Sequence, residues 1–241
     1  MDCTKCLSLL KENAKFCGKC GAKISEAKKK VDHSVITRLI VFFVSLLLYI
    51  AILNWVEAKR DYILDLITDS LFSILILVFF ALDFKNQRKL FSFRRVKIKA
   101  LLPIIIVAPL FALSVLYFSD YVNRELFDTY SLTYYYQYMD SPAPWFFAIL
   151  SIAVFPAVFE EIAFRGVIFD LLRKVTPLKS VILISSILFF LLHLSLISIL
   201  WILPIGIVFA IYRAKYNTLW YGIIGHFIYN ASCVILQELV L

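Results

Sequence analysis

Polar interruptions divide the chain into seven apolar runs, near residues 35–56, 62–82, 100–118, 144–171, 177–194, 197–212 and 217–239. Their lengths suit a hydrocarbon core about 30 Å thick, which takes roughly 17 to 25 helical residues to cross. A backbone facing lipid must satisfy its own hydrogen bonds, so these runs predict helices. The expected fold class is all-α: a polytopic transmembrane helical bundle of about seven spans, covering 35–241. The first run starts beyond residue 35, behind a segment rich in Cys and Lys, so no cleaved signal peptide is expected.

Composition agrees, with 62% hydrophobic residues, 17% charged residues and a mean hydropathy of +0.86. That mix excludes an ordinary water-soluble domain. The net charge is +8, and its placement orients the bundle, because Lys and Arg accumulate on the cytoplasmic side. With the N-terminus inside, 21 of the 25 basic residues fall inside: nine up to Arg38, seven in the 83–99 loop, then Arg173, Lys174, Lys179, Arg213 and Lys215. Lys59, Arg60 and Arg124 fall outside, beside Asp120, Glu125, Asp128 and Asp140, and Arg165 lies within a span. The expectation is a multi-pass cell-membrane protein with a cytoplasmic N-terminus and an extracytoplasmic C-terminus. Anionic lipid headgroups account for the positive charge without a nucleic-acid partner.

The first 25 residues form a separate unit, joined by a basic linker at 26–34. Cys3-x2-Cys6 and Cys17-x2-Cys20 set two thiolate pairs ten residues apart, the arrangement that closes a tetrahedral zinc site. A reducing compartment disfavours the competing disulfides. So short a segment cannot bury a core of its own, so a structural zinc in this ribbon would supply its folding free energy. The ribbon is also a candidate surface for a protein partner. Cys233, in the last run, reads as a packing residue.

Ionisable side chains within spans are costly and usually face the bundle interior for a reason. Here they are Glu160, Glu161 and Arg165 in the fourth run, His193 at the end of the fifth, and His226 with Asn230 in the seventh. Residues four apart share a helical face, so Glu161 can pair with Arg165, while His226 shares a face with Asn230, as Phe189 does with His193. Glu160 is turned away from the Glu161–Arg165 pair and faces another helix. At about 1.5 Å per residue from the cytoplasmic loops, Glu160, His193 and His226 lie roughly 21, 25 and 16 Å deep. These depths agree within helix tilt and predict one site.

Glu160-Glu161-x-x-x-Arg165, Phe189-x-x-x-His193 and His226-x-x-x-Asn230 resemble, in order and spacing, the three motifs of the CAAX protease and bacteriocin-processing (Abi) family. The resemblance covers about residues 144–240, where Gly206, Tyr212 and Thr218-Leu219-Trp220 also look like the family. It implies intramembrane endoproteolysis of a membrane-anchored or prenylated protein or peptide. It makes Glu160 the base that activates water, His193 and His226 its partners, and Asn230 a contributor to the oxyanion site, with no catalytic metal. Peptide hydrolysis does need such a base and such donors.

The residues themselves leave other readings open. Glu160, His193 and His226 equally suit the three protein ligands of a catalytic zinc. A non-catalytic membrane scaffold or immunity-type protein could retain the same motifs. A transporter using Glu160 and the histidines as a relay is disfavoured, because no inverted repeat of spans is visible.

Overall fold

A computed structural model of the chain describes residues 16–22, 32–55, 62–128 and 133–240. Among these no strand forms, and seven long helices follow one another. They are α1 (His33–Trp55), α2 (Tyr62–Ala81), α3 (Ile98–Phe127), α4 (Pro144–Val175), α5 (Leu178–Leu191), α6 (Ile199–Tyr216) and α7 (Trp220–Val240). Each falls on one of the apolar runs. The largest departure is α3, which continues to Phe127 although its apolar run ends near 118. Its last turns carry Asp120 and Arg124, whose side chains meet at 2.9 Å one helical turn apart, so polar residues prolong the helix beyond the apolar stretch.

Five helices, α1, α2, α3, α4 and α6, are long and apolar enough to cross a membrane, and the protein is accordingly an all-α, multi-pass membrane protein. The other two expected spans differ from that standard. α5 is apolar but has only 14 residues, and α7 has the length, 21 residues, but carries His226, Asn230, Gln237 and Glu238.

The chain divides into two compact units, Met1–His33 and Ser34–Leu241. In the first, Cys17 is buried and Cys20 exposed on a turn closed by the Gly21 N–H donating to the Cys17 carbonyl at 2.9 Å. Gly21 sits at φ +67°, a conformation that glycine adopts without steric cost. Cys3 and Cys6 lie outside the described residues, as does most of the 26–34 linker.

In the second unit α4 is central. Its buried Phe164, Ile168 and Phe169 join a core with Val181 and Phe189 of α5 and Ala210 of α6. α3 and α4 both pack along α7, and α5 packs along α6. α1 and α2 are tied by the Phe42–Phe79 ring pair, with centroids 4.5 Å apart, and by the Tyr49 hydroxyl, which donates to the Thr68 carbonyl. The basic segment between α2 and α3 folds as short turns, Phe84–Gln87, Arg88–Phe91 and Phe93–Arg95. It is pinned to the start of α7. The Leu219 N–H and the Thr218 hydroxyl both donate to the Leu90 carbonyl, the Trp220 indole donates to the Phe91 carbonyl, and the Phe93 ring stacks on Trp220.

α4 is not uniformly α-helical. Wider π turns at Leu150–Val154 and Ile162–Ile168 flank the α-helical stretch Phe155–Glu161. Such turns are rare and concentrate at functional sites. Pro156 has no N–H, so the Ile152 carbonyl four residues earlier cannot receive its ordinary helical bond. The Asn230 amide of α7 donates to that carbonyl at 2.8 Å instead.

Candidate active site

The π turn after Glu161 and the proline before Glu160 leave two adjacent carboxylates aimed in different directions. Glu161 is fully buried and pairs with Arg165, whose Nη1 lies 2.9 Å from Oε1. The contact is coulombic and not a well-directed hydrogen bond, since neither atom has a hydrogen-bond partner among protein groups. Arg165 also donates to the Gly206 carbonyl at 3.1 Å. Its guanidinium lies 4.3 Å from the Phe189 ring centroid and 5.7 Å from that of Phe209. Aromatic faces of that kind favour a cation already removed from water. The expected partner of His193 on α5, Phe189, thus also forms one wall of the arginine's site.

Glu160 faces α7, where His226 is buried between the two carboxylates. Its Nε2 lies 3.9 Å from Glu160 Oε2 and its Nδ1 3.5 Å from Glu161 Oε1. The second of these contacts goes beyond the arrangement read from the sequence, in which Glu161 served only Arg165. α7 can approach so closely because residue 222 is glycine: a Cβ there would collide with the Glu161 carboxylate.

His193 stands just past the end of α5, where Leu194 turns the chain through the left-handed region at φ 50°. Its Nδ1 lies 2.9 Å from the Phe189 carbonyl. A carbonyl only accepts, so Nδ1–H is the donor in this contact, and in the neutral ring Nε2 is then the acceptor. Asn230 spends one N–H on Ile152, and its amide has a second.

Glu160, His193, His226 and Asn230 share the wall of a cavity of about 570 Å³. A second cavity of about 380 Å³ reaches Glu160 and His193 from the side of α1 and α2. The structure thus brings together the four residues of the expected site, with Glu161, Arg165 and Phe189 behind them. No group of three or more His, Cys, Asp or Glu side chains among the described residues, Glu160, His193 and His226 included, is arranged to hold a metal ion.

Several residues of the neighbourhood were not marked by the motifs. Tyr229 and Gln237 of α7 line the larger cavity, on the same helix as His226 and Asn230. Deeper in α4, Arg213 of α6 donates to the Arg165 carbonyl at 2.8 Å and pairs with Asp170 at 2.6 Å. The Gln87 amide donates to the same Asp170 at 3.0 Å. The signal for these was weak, since Gln87, Asp170 and Arg213 sit near chain segments that read as cytoplasmic ends.

A helical bundle with a carboxylate, two imidazoles and an amide around one cavity contains the kinds of group that proton transfer requires. Residues 142–232, less than half of the chain, match the family model described as type II CAAX prenyl endopeptidase Rce1-like. The matched segment runs from just before α4 into α7 and includes Glu160, Glu161, Arg165, Phe189, His193, His226 and Asn230. At that level the chain is similar to a family of membrane proteases. No curated protein and no solved structure matches it.

Proposed function

We propose that the protein is an intramembrane endopeptidase that hydrolyses peptide bonds of membrane-associated polypeptides with water activated by Glu160. The observation that carries this reading is the meeting of Glu160, His193, His226 and Asn230 on one cavity wall. In this mechanism Glu160 accepts the proton of the attacking water while the scissile carbonyl lies between it and the histidines. His226, with Glu160 at one nitrogen and Glu161 at the other, is placed to take that proton on and give it to the leaving amine. The second N–H of Asn230 supplies a donor for the developing oxyanion. Glu161 and Arg165 act as positioning residues through His226. A structural zinc at Cys3, Cys6, Cys17 and Cys20 is part of this reading; the turn that carries Cys17 and Cys20 suits one half of such a site, and catalysis itself is proposed to need no metal.

The test is Glu160→Gln in purified protein, assayed on membrane-anchored and prenylated peptides with products identified by mass. The substitution keeps the side chain's shape and adds no charge, so folded yield should be retained and product lost. A Glu160→Gln protein that cleaves as well as its parent would remove the base from the mechanism.

A further inference from the structure

Both cavities that reach Glu160 extend, by their lining residues, toward one end of the bundle. The larger runs from His226 and Glu160 past Asn230 and Gln237 of α7 to Asp120 and Asn123 in the last turns of α3. The second passes Asp65 and Thr68 in the first turns of α2 and Asn54 at the end of α1. They share Tyr134, Gln137 and Ile152 with Glu160 and His193. Gln137 is exposed, in the connection between α3 and α4. Together they make a bent passage of mixed polar and apolar lining, with Glu160 and His193 at its shared wall and both arms reaching residues of the α3–α4 end.

Toward the other end the bundle is closed among the described residues. Beneath Glu160 come the fully buried Glu161 and Arg165 between Phe189 and Phe209, and below them the buried Gln87 and Arg213, joined through Asp170. The pinned turns of 88–95 follow. An apolar groove of about 330 Å³ between α3, α6 and α7 approaches from the side, but its walls, such as Pro103, Val107, Pro204 and Val208, are almost wholly apolar, with Tyr212 and Tyr229 the only lining side chains that carry a polar atom to receive a peptide backbone. Unmet backbone groups in such a groove would be costly.

Charge then says which end this is. The closed end carries the 83–99, 172–180 and 213–215 basic residues, and the described residues of the open end include only one, Arg124. The bias of Lys and Arg toward the cytoplasm makes the closed end cytoplasmic.

We infer that the site takes its substrate from the non-cytoplasmic side: the scissile segment is an extended, membrane-proximal stretch of an anchored polypeptide outside the cytoplasm, and not a cytoplasmic lipid-modified tail. This rests on the protease reading and narrows its substrate class. An extended segment advances about 3.3 Å per residue, so it can enter along α3 and α7, pass Glu160 and leave along α1 and α2.

Two measurements separate this inference from the activity beneath it. In right-side-out membrane vesicles, on a Cys233→Ser background, Gln137→Cys should react at once with an impermeant maleimide, and Lys85→Cys only after detergent is added. The reverse pattern overturns the inference whatever the enzyme does. In the second, one cleavable segment is placed on either flank of a single-span reporter co-expressed with the protein. A Glu160-dependent product should come from the non-cytoplasmic flank; product from the cytoplasmic flank alone overturns the inference. Cleavage of neither reporter counts against the protease reading, and the labelling result then stands alone in deciding where the passage opens.

Discussion

Glu160 and Glu161 are neighbours in sequence and differ sharply in surroundings. Glu160 borders open volume, whereas Glu161 is fully buried between Arg165 and His226 and rests against the bare Cα of Gly222. Removing one partner of a buried ion pair typically costs about 3–5 kcal/mol, because the other charge is stranded. Glu161→Gln should therefore lower thermal stability and yield as well as activity, where Glu160→Gln lowers activity alone; parallel melting curves of the two variants in one detergent check this. Gly222→Ala tests the contact from the other side. Its Cβ would push the Glu161 carboxylate off His226, and a displacement of about 1 Å near the chemistry can cost on the order of 100-fold in turnover. At this scale the sequence was informative where one helix holds both residues: the Glu161–Arg165 pair, and His226 and Asn230 on one cavity wall, follow from a four-residue spacing. It was uninformative where partners come from different helices, as with His226 against Glu161 or Arg213 against Asp170, because nothing along the chain fixes their approach. Gln87 shows the cost, being buried in a segment whose charge reads as a solvated loop.

The helices were legible because lipid imposes a length on apolar runs, and the ends that were misjudged are those where polar residues continue a helix, as in α3. The π turns of α4 left no periodic trace, since two wide turns in 32 residues do not break an apolar run. Their consequence is testable through Asn230. Asn230→Ala removes a cavity donor, which typically costs on the order of 100- to 1000-fold, and also strands the Ile152 carbonyl, worth about 1–3 kcal/mol. Adding Pro156→Ala returns an N–H four residues after Ile152. The double variant should recover stability but not turnover, so melting temperature and rate will separate. The connection between α3 and α4 is held differently. The Tyr138 hydroxyl donates to Asp65 Oδ2 at 2.8 Å, and burial first, then the Asp65 carboxylate, raises its pKa above the ordinary phenol value. A raised folded pKa means the folded state holds the proton more tightly, so this contribution is complete below about pH 10, where an unfolded tyrosine ionises, and is lost as pH rises further. Tyr138→Phe should be less stable than the parent at neutral pH and flatter in stability across pH 9 to 11.

Across the whole molecule, two units of very different size depend on different sources of free energy. The helical unit buries an extended apolar core around α4 and carries the Glu161–Arg165 and Arg213–Asp170 ion pairs and the Asn230–Ile152 tether. The first unit, Met1–His33, is too short for a core of that kind, and chains below about 40 residues usually need a metal or a disulfide to fold. With Cys17 and Cys20 on one turn and Cys3 and Cys6 supplying the second pair, the proposed zinc would take that part, and its apparent binding free energy would be folding free energy for the ribbon alone. Removing residues 1–30 should then remove one equivalent of zinc, measured by elemental analysis of purified protein, with helical circular dichroism of the remainder unchanged. The same truncated protein separates the two roles a metal could have here. If it still cleaves a membrane-anchored peptide in the presence of a chelator, zinc belongs to the ribbon and Glu160 works on water directly. If it is active, is silenced by the chelator and recovers with added zinc, Glu160, His193 and His226 must draw together around a metal on binding substrate, and the assignment of Glu160 as a base gives way to one as a ligand.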